Sequence, residues 1–265
     1  MGSSLTGIRI GPWLDKLCEK PFWESVRASV VRAGRLRSLV VKGPFADASE
    51  SDLEPLGQLA GSLEELVLCT CSYDGVSGSS RPGSRLERFP KSLCALTELR
   101  RLALIAHFGV TALPAQISSL KKLEVLILRC NLSLLPKELG GLSRLTKLDL
   151  HGNRYLGNAP QDEAFPAELG RMKSLRYLSI ADCGLRAVPA FVGELRSLET
   201  LHLVYNDDLQ LDATLDLLVE GCPRLRTVLL LKGATRAGSF WTWESLARLG
   251  AFKSKLRAEV QVFHN

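Results

Sequence analysis

Residues 123–150 read LEVLILRCNLSLLPKELGGLSRLTKLDL, and this stretch decides the fold. Leu123, Leu126 and Leu128 stand at the first, fourth and sixth places of a short unit, and Asn131 stands at the ninth. A Leu-Pro step and a brief apolar run follow. The pattern then restarts at Leu145, 22 residues on, with Leu148, Leu150 and Asn153. A fixed period in the twenties is the mark of a repeat architecture, whose units bury their apolar faces only against one another.

The pattern extends in both directions. Upstream stand Leu36, Leu39 and Val41, then Leu63, Leu66 and Leu68, then Leu99, Leu102 and Leu104. Downstream follow Leu175, Leu178 and Ile180, then Leu198, Leu201 and Leu203, then Leu225, Val228 and Leu230. A looser trio, Leu256, Val260 and Val262, closes the series. Unit starts are 22 to 36 residues apart, so the long units carry insertions. Side chains alternate along a strand, so places four and six point into the core and places three, five and seven point outward. Each buried leucine contributes roughly 1.5–3 kcal/mol. The ninth place lies where the chain leaves the strand, and its side chain must satisfy backbone groups that are otherwise buried unpaired. Asn131, Asn153 and Asn206 fill it, with Cys71, His107 and Cys183 in the same slot of other units. Pro44 and Gly233 occupy it in the first and eighth units, where irregular geometry is expected.

Between the units run FPKSLCALTEL (89–99), LPAQISSLKKL (113–123), LPKELGGLSRL (135–145), FPAELGRMKSL (165–175) and VPAFVGELRSL (188–198). These connectors and the units they feed resemble the leucine-rich-repeat family, closest to its intracellular, Ras-group-related class. The resemblance covers nearly the whole chain. It implies an α/β solenoid, a horseshoe with a parallel concave sheet of about 8–9 strands and a helical or irregular convex side. It further implies a non-catalytic scaffold or regulator in intracellular signalling that binds a protein on the concave face. In this family cysteine substitutes for asparagine at the ninth place, so Cys183 reads as part of the ladder. After Asn206 the Leu-Pro connector is absent, and the amphipathic stretch through Leu215, Leu218 and Val219 looks like the full-helix connector of ribonuclease-inhibitor-type repeats. Two alternatives therefore stay open: a recognition module of an immune receptor or ubiquitin-ligase adaptor, and an enzyme inhibitor of the ribonuclease-inhibitor kind.

One structural domain is expected, with repeats over 35–233 between two caps. Residues 1–34 read as a helical cap, from Trp13, Leu14, Leu17, Phe22, Trp23, Val26, Val30 and Val31 at helical spacing. Residues 234–265 read as a helix and a strand, with Trp241, Trp243, Leu246 and Leu249 covering the last repeat. The first insertion, 72–85, is rich in Gly, Ser, Pro and Arg and reads as a mobile surface loop with serines that could accept phosphate. The second, 154–164, extends the turn after Asn153 and belongs at the rim of the concave face.

Composition agrees with a folded soluble chain: 46% apolar, 23% charged and a net charge of +6. No run reaches the roughly 18 apolar residues of a membrane span. Nothing at the start reads as a secretory leader, and seven scattered cysteines show no framework or metal spacing, so a reducing, cytoplasmic setting is expected, with a nuclear or membrane-associated one as variants. Met1-Gly2-Ser3-Ser4-Leu5-Thr6 fits the acceptor pattern for myristoylation of Gly2, and a membrane role depends on that modification.

Catalytic chemistry finds no support. There is no glycine-rich phosphate loop, no H-E-x-x-H and no G-x-S-x-G. His151 and His202 face outward two strands apart, about 9.6 Å, which is too far to share one ion. Asp149 with His151 lacks a nucleophile. No catalytic residue, metal, cofactor or small-molecule substrate is therefore expected. The outward positions instead display Arg129, Lys147, Asp149, His151, Tyr177, Asp182, His202 and Tyr205, flanked by Ala103, Ile105, Val125 and Ile127 on one side and Val204, Leu229 and Leu231 on the other. Tyrosine, arginine and charge beside aliphatics is the composition of a protein interface, and these eight residues are the expected partner-binding set of a monomer. Mixed charge on this face argues against nucleic acid.

Overall fold

The leucine spacing builds one strand per repeat, and register keeps equivalent places side by side. The structure, a computed structural model, describes residues 6–10, 23, 24, 26, 28, 35–43, 48–70, 86–232 and 259–264. Gly2, Pro44, Cys71, the loop 72–85, Gly233 and the tryptophans Trp241 and Trp243 lie outside these residues, as do Leu246 and Leu249. The chain divides into two compact units, Met1–Asn131 and Leu132–Asn265.

In the first unit, β1 (Gly7–Ile10), β2 (Ser38–Lys42), β3 (Glu65–Cys69), β4 (Arg101–Ile105) and β5 (Val125–Arg129) run parallel in chain order. Ile8, Leu39, Leu66, Leu102 and Leu126 form one row across the sheet. Ile10, Val41, Leu68, Leu104 and Leu128 form the next. From β2 to β5 every side chain of both rows is fully buried. β1 corrects the purely helical reading of residues 1–34. Leu5, Ile8 and Ile10 repeat the first, fourth and sixth places with isoleucine substituted, a signal hidden beside the helical run that follows. That run is helical at the described residues Trp23, Glu24, Val26 and Ala28, and Trp23 and Val26 are buried.

In the second unit, β6 (Lys147–Asp149), β7 (Tyr177–Ser179), β8 (Thr200–His202), β9 (Thr227–Lys232) and β10 (Glu259–His264) are again parallel and in order. Leu148, Leu178, Leu201, Val228 and Val260 align across them. Among the described residues each unit carries five strands, and the one added to the expected series is β1.

Each proline-led connector forms a five-residue 3-10 turn: Lys91–Ala95 and Ala115–Ser119 in the first unit, Lys137–Gly141, Ala167–Arg171 and Ala190–Glu194 in the second. Proline immediately precedes each turn, where its fixed φ and missing N–H cost nothing. Only a few residues separate that proline from the next unit's first leucine, so the chain closes one tight turn rather than an α-helix. Leu93, Ile117, Leu139, Leu169 and Val192 point from these turns into the core and are fully buried. Successive turns of the second unit touch backbone to backbone. A Cβ on Gly140 would strike the carbonyl oxygen of Glu168, and one on Gly221 that of Gly193. The departure from this style after Asn206 is the α-helix Leu211–Gly221.

The insertion 154–164 folds as a 3-10 turn, Arg154–Gly157, and a short helix, Gln161–Ala164. Leu156 and Ala164 are buried beneath it, and the Gln161 side-chain amide donates to the carbonyl of Ala187 at 2.6 Å. The ladder at the ninth place is made of side chain to backbone bonds. Asn206 accepts from the amides of Cys183 and Leu185, both at 3.0 Å, and donates to the carbonyls of Ile180 and Leu203 at 2.9 and 3.0 Å. Asn153 accepts from the amide of Leu132 at 2.8 Å and donates to the carbonyl of Leu150 at 2.6 Å. The Cys183 thiol donates to the carbonyl of Leu150 at 3.2 Å, as a ladder residue should. His107 fills the slot after β4 and is fully buried.

Candidate functional site

The open face of β6 to β8 carries Lys147, Tyr177 and His202 of the expected set. Lys147 and Tyr177 occupy the third places of neighbouring strands and pair in register. The Lys147 ammonium sits 4.2 Å from the centre of the Tyr177 ring, a cation–π contact. The Tyr177 hydroxyl lies 3.0 Å from His202 Nδ1 on the next strand, with the two rings edge to face at 4.8 Å. Tyr177 is thus clasped from both sides in an array Lys147–Tyr177–His202. His202 is half-buried and its pKa lies below the usual histidine value, chiefly because burial disfavours the cation. Lys147 and His151 push the same way and Asp149 opposes them.

Asp149 is a correction. It was expected on the surface, but the residue is only 2% exposed, and its Oδ1 accepts the backbone N–H of His151 at 3.0 Å. The strand ends there, and the carboxylate folds back to satisfy the first amide of the turn. The aliphatic flank of the first unit is corrected too. Ala103 and Ile127 are buried rather than displayed, with Val40 and Val67 in the same row and Ile105 and Val125 packed against them. Strands about 4.8 Å apart bring equivalent side chains into lateral contact, so an outward aliphatic row closes over itself. Val204 and Leu229 of the second unit are half-buried. The Leu231 side chain lies outside the described residues. Arg129 is exposed at the end of β5 and belongs to the first unit; the other seven expected residues belong to the second.

A second feature lies where the strands end. The eighth place takes a left-handed backbone after several strands: Gly43 at φ 87°, Ala106 at 64°, Gly152 at 84°, Asp182 at 51° and Tyr205 at 60°. Glycine adopts this without strain, whereas a bulky residue there is an outlier. The turn throws the eighth side chain out at the rim. Asp182 meets the exposed Arg154 guanidinium, whose Nε donates to both carboxylate oxygens at 2.9 and 3.1 Å. Tyr205 is 53% exposed and stands edge-on to His151, ring centres 6.5 Å apart. Together His151, Arg154, Asp182, Gly184, Tyr205, Asp207 and Asp208 line an open depression of about 600 Å³. Sequence reading placed Arg154 within a rim insertion but passed over Asp207 and Asp208. Their signal was a bare carboxylate pair directly after the ninth-place Asn206.

At the opposite, strand-entry rim, charges answer one another. Arg37 pairs with Glu64 at 3.4 Å, and Arg100 reaches Glu124 at 2.6 Å and Glu64 at 3.9 Å. In the second unit Arg176 pairs with Glu199 at 3.1 Å. Solvated pairs of this kind add little stability, but they leave the entry rim self-neutralised. Among the described residues, no group of three or more His, Cys, Asp or Glu could hold a metal ion, and no helix is long and apolar enough to cross a membrane.

Comparison with known proteins matches residues 85–201 to the leucine-rich repeat region model. A disease resistance protein of rice (Oryza sativa subsp. japonica), RGA5, is 38% identical over 117 residues, which is 43% of this chain and 10% of that protein. Solved structures similar to this chain include the Arabidopsis receptor kinase HAESA leucine-rich-repeat ectodomain, bound to an extended IDA peptide hormone. It is 18% identical with a TM-score of 0.45, and the match covers 77% of this chain and 35% of that one. Another is the functional domain of InlJ from Listeria monocytogenes, 20% identical with a TM-score of 0.41, covering 54% of this chain and 27% of that one. The chain thus spans a tenth of the rice protein's length.

Proposed function

We propose that this leucine-rich-repeat chain is a non-catalytic recognition module that binds a protein through the open face of its second unit. The observation that carries the reading is the preordered array Lys147–Tyr177–His202, held by a 4.2 Å cation–π contact and a 3.0 Å hydrogen bond. Ordering side chains before binding removes part of the entropic cost of association. His151, Asp182 and Tyr205 extend the face toward the strand ends. Arg129 belongs to the proposed set as a residue of the first unit.

Two settings fit such a module. One is the intracellular signalling scaffold implied by the Ras-group-related connectors. The other is the recognition part of a larger disease-resistance receptor, and the similarity to the rice protein favours it. We place the module in an intracellular setting in either case, a reading supported by the free thiols of Cys69, Cys94, Cys130, Cys183 and Cys222 among the described residues. Affinity capture with mass spectrometry tests the reading. The chain and a Lys147→Glu/Tyr177→Ala variant are compared, with Lys147→Glu alone as a charge-reversal variant that keeps the Tyr177 ring. Loss of the same captured protein from both, at unchanged circular dichroism, is expected. An unchanged capture set overturns the proposal.

A further inference from the structure

We infer that the depression at the strand-exit rim of the second unit receives a basic side chain, arginine or lysine, from an extended segment of the protein partner. This rests on the proposed function, whose face it adjoins, and specifies the chemistry of one anchor.

Shape comes first. The depression has a volume of about 600 Å³, within the roughly 300–1,000 Å³ of ligand pockets, and it is open to solvent. The depression spans the ends of β6, β7 and β8, about 10 Å at the usual strand spacing, which suits a side chain entering end-on.

The sign of the charge comes next. Three carboxylates, Asp182, Asp207 and Asp208, line the depression against one guanidinium, Arg154. Arg154 is already spent on Asp182 at 2.9 and 3.1 Å. Asp207 and Asp208 are exposed, and neither has a hydrogen-bond or ion-pair partner among the described residues. The local charge is therefore negative in a chain whose net charge is +6. Most charges at the entry rim are answered by neighbours; here those of Asp207 and Asp208 are not.

The wall supplies a third element. Tyr205 stands 53% exposed on a left-handed backbone at φ 60°, held from behind by the four hydrogen bonds of Asn206. Its ring lines the same depression as the unpaired carboxylates, and a cation seated between an aromatic ring and a carboxylate gains from both. Anionic partners such as nucleic acid or phosphopeptides are repelled by the same charges.

The test uses the ¹⁵N-labelled full chain and a blocked Ala-Ala-Arg-Ala-Ala peptide. The matched peptide with citrulline, which is nearly isosteric and neutral, is the control. The expected result is saturable amide shift changes at Asp182, Tyr205 and Asp207 in the millimolar range, weakened by salt. The citrulline peptide, and the arginine peptide with Asp207→Asn/Asp208→Asn, should each bind at least tenfold more weakly. The two carboxylates are exposed, so an unchanged spectral dispersion confirms that the variant is folded. Equal binding of the citrulline peptide, no response at millimolar peptide, or full binding by the double variant each overturns the inference. If any of these occurs while capture still depends on Lys147 and Tyr177, the rim assignment alone fails. If capture is independent of both surfaces, the proposed function fails as well.

Discussion

Asn206→Ala should be among the most damaging single substitutions in the second unit. The side chain makes four hydrogen bonds of 2.9–3.0 Å to backbone groups of two consecutive repeats, and the residue is only 8% exposed. At about 1 kcal/mol net per bond the loss is about 4 kcal/mol. Buried donors left unpaired raise that figure and water entering the gap lowers it, so about 3–5 kcal/mol is expected, a large part of an ordinary domain's stability. Asn131→Ala provides the internal control. Asn131 holds the same ninth place after β5, but it is half-buried and its side chain donates to the carbonyl of Phe108 at 2.9 Å. Its removal should cost about 1 kcal/mol. Urea unfolding followed by circular dichroism compares the two, and amide hydrogen exchange gives the local readout. The Cys183 and Leu185 amides, deprived of their acceptor, should exchange at least tenfold faster in the Asn206 variant. A cost below about 1 kcal/mol for Asn206→Ala, or equal costs for the two substitutions, would refute the reasoning that the ladder stabilises by satisfying buried backbone groups.

Three further outcomes follow from the packing. Burial raises the thiol pKa of Cys94 to about 11 and those of Cys130, Cys183 and Cys222 to about 12, so iodoacetamide at mildly alkaline pH should leave these four unmodified until denaturant is added, as read by peptide mass spectrometry. The folded His202 pKa lies below the ordinary histidine value, so the unfolded chain takes up its proton first; stability is full above pH ~6.5 and is lost as pH falls from there through the folded value. His202→Gln should therefore lose less thermal stability than the parent between about pH 7.5 and about pH 5, and an identical loss would show that His202 carries none of it. Gly140→Ala drives a methyl group into the carbonyl of Glu168 and should cost about 1–3 kcal/mol, whereas Gly57→Ala meets nothing within 4 Å and should be neutral or slightly stabilising in the same unfolding assay.

The candidate site was legible in part. Tyr177, Lys147 and His202 could be placed on the open face by counting from Leu145, Leu175 and Leu198, because strand alternation leaves no freedom in which face a position takes. Counting could not show that Tyr177 reaches two places along to His202, since that depends on where a long side chain finds a partner. Asp149 was misjudged for a related reason. Its position faces outward, yet the turn that begins after it draws the carboxylate inward to an amide. The aliphatic row of Val40, Val67, Ala103 and Ile127 was likewise assigned to the right face and the wrong exposure, because burial there comes from lateral neighbours supplied by other repeats.

What the sequence determined by itself is the repeat: the leucine period, the prolines that begin each 3-10 turn and the asparagine and cysteine ladder dictate a parallel strand per unit and its register. These are local rules, repeated until little choice remains. β1 obeyed them with isoleucines and was legible in principle. The tertiary structure alone decided which outward residues meet solvent, which charges cancel and which do not. Arg154 and Asp182 stand 28 residues apart in the chain and join only because successive turns stack. The depression they share with Tyr205, Asp207 and Asp208 comes from three strand ends side by side, and no single repeat contains it.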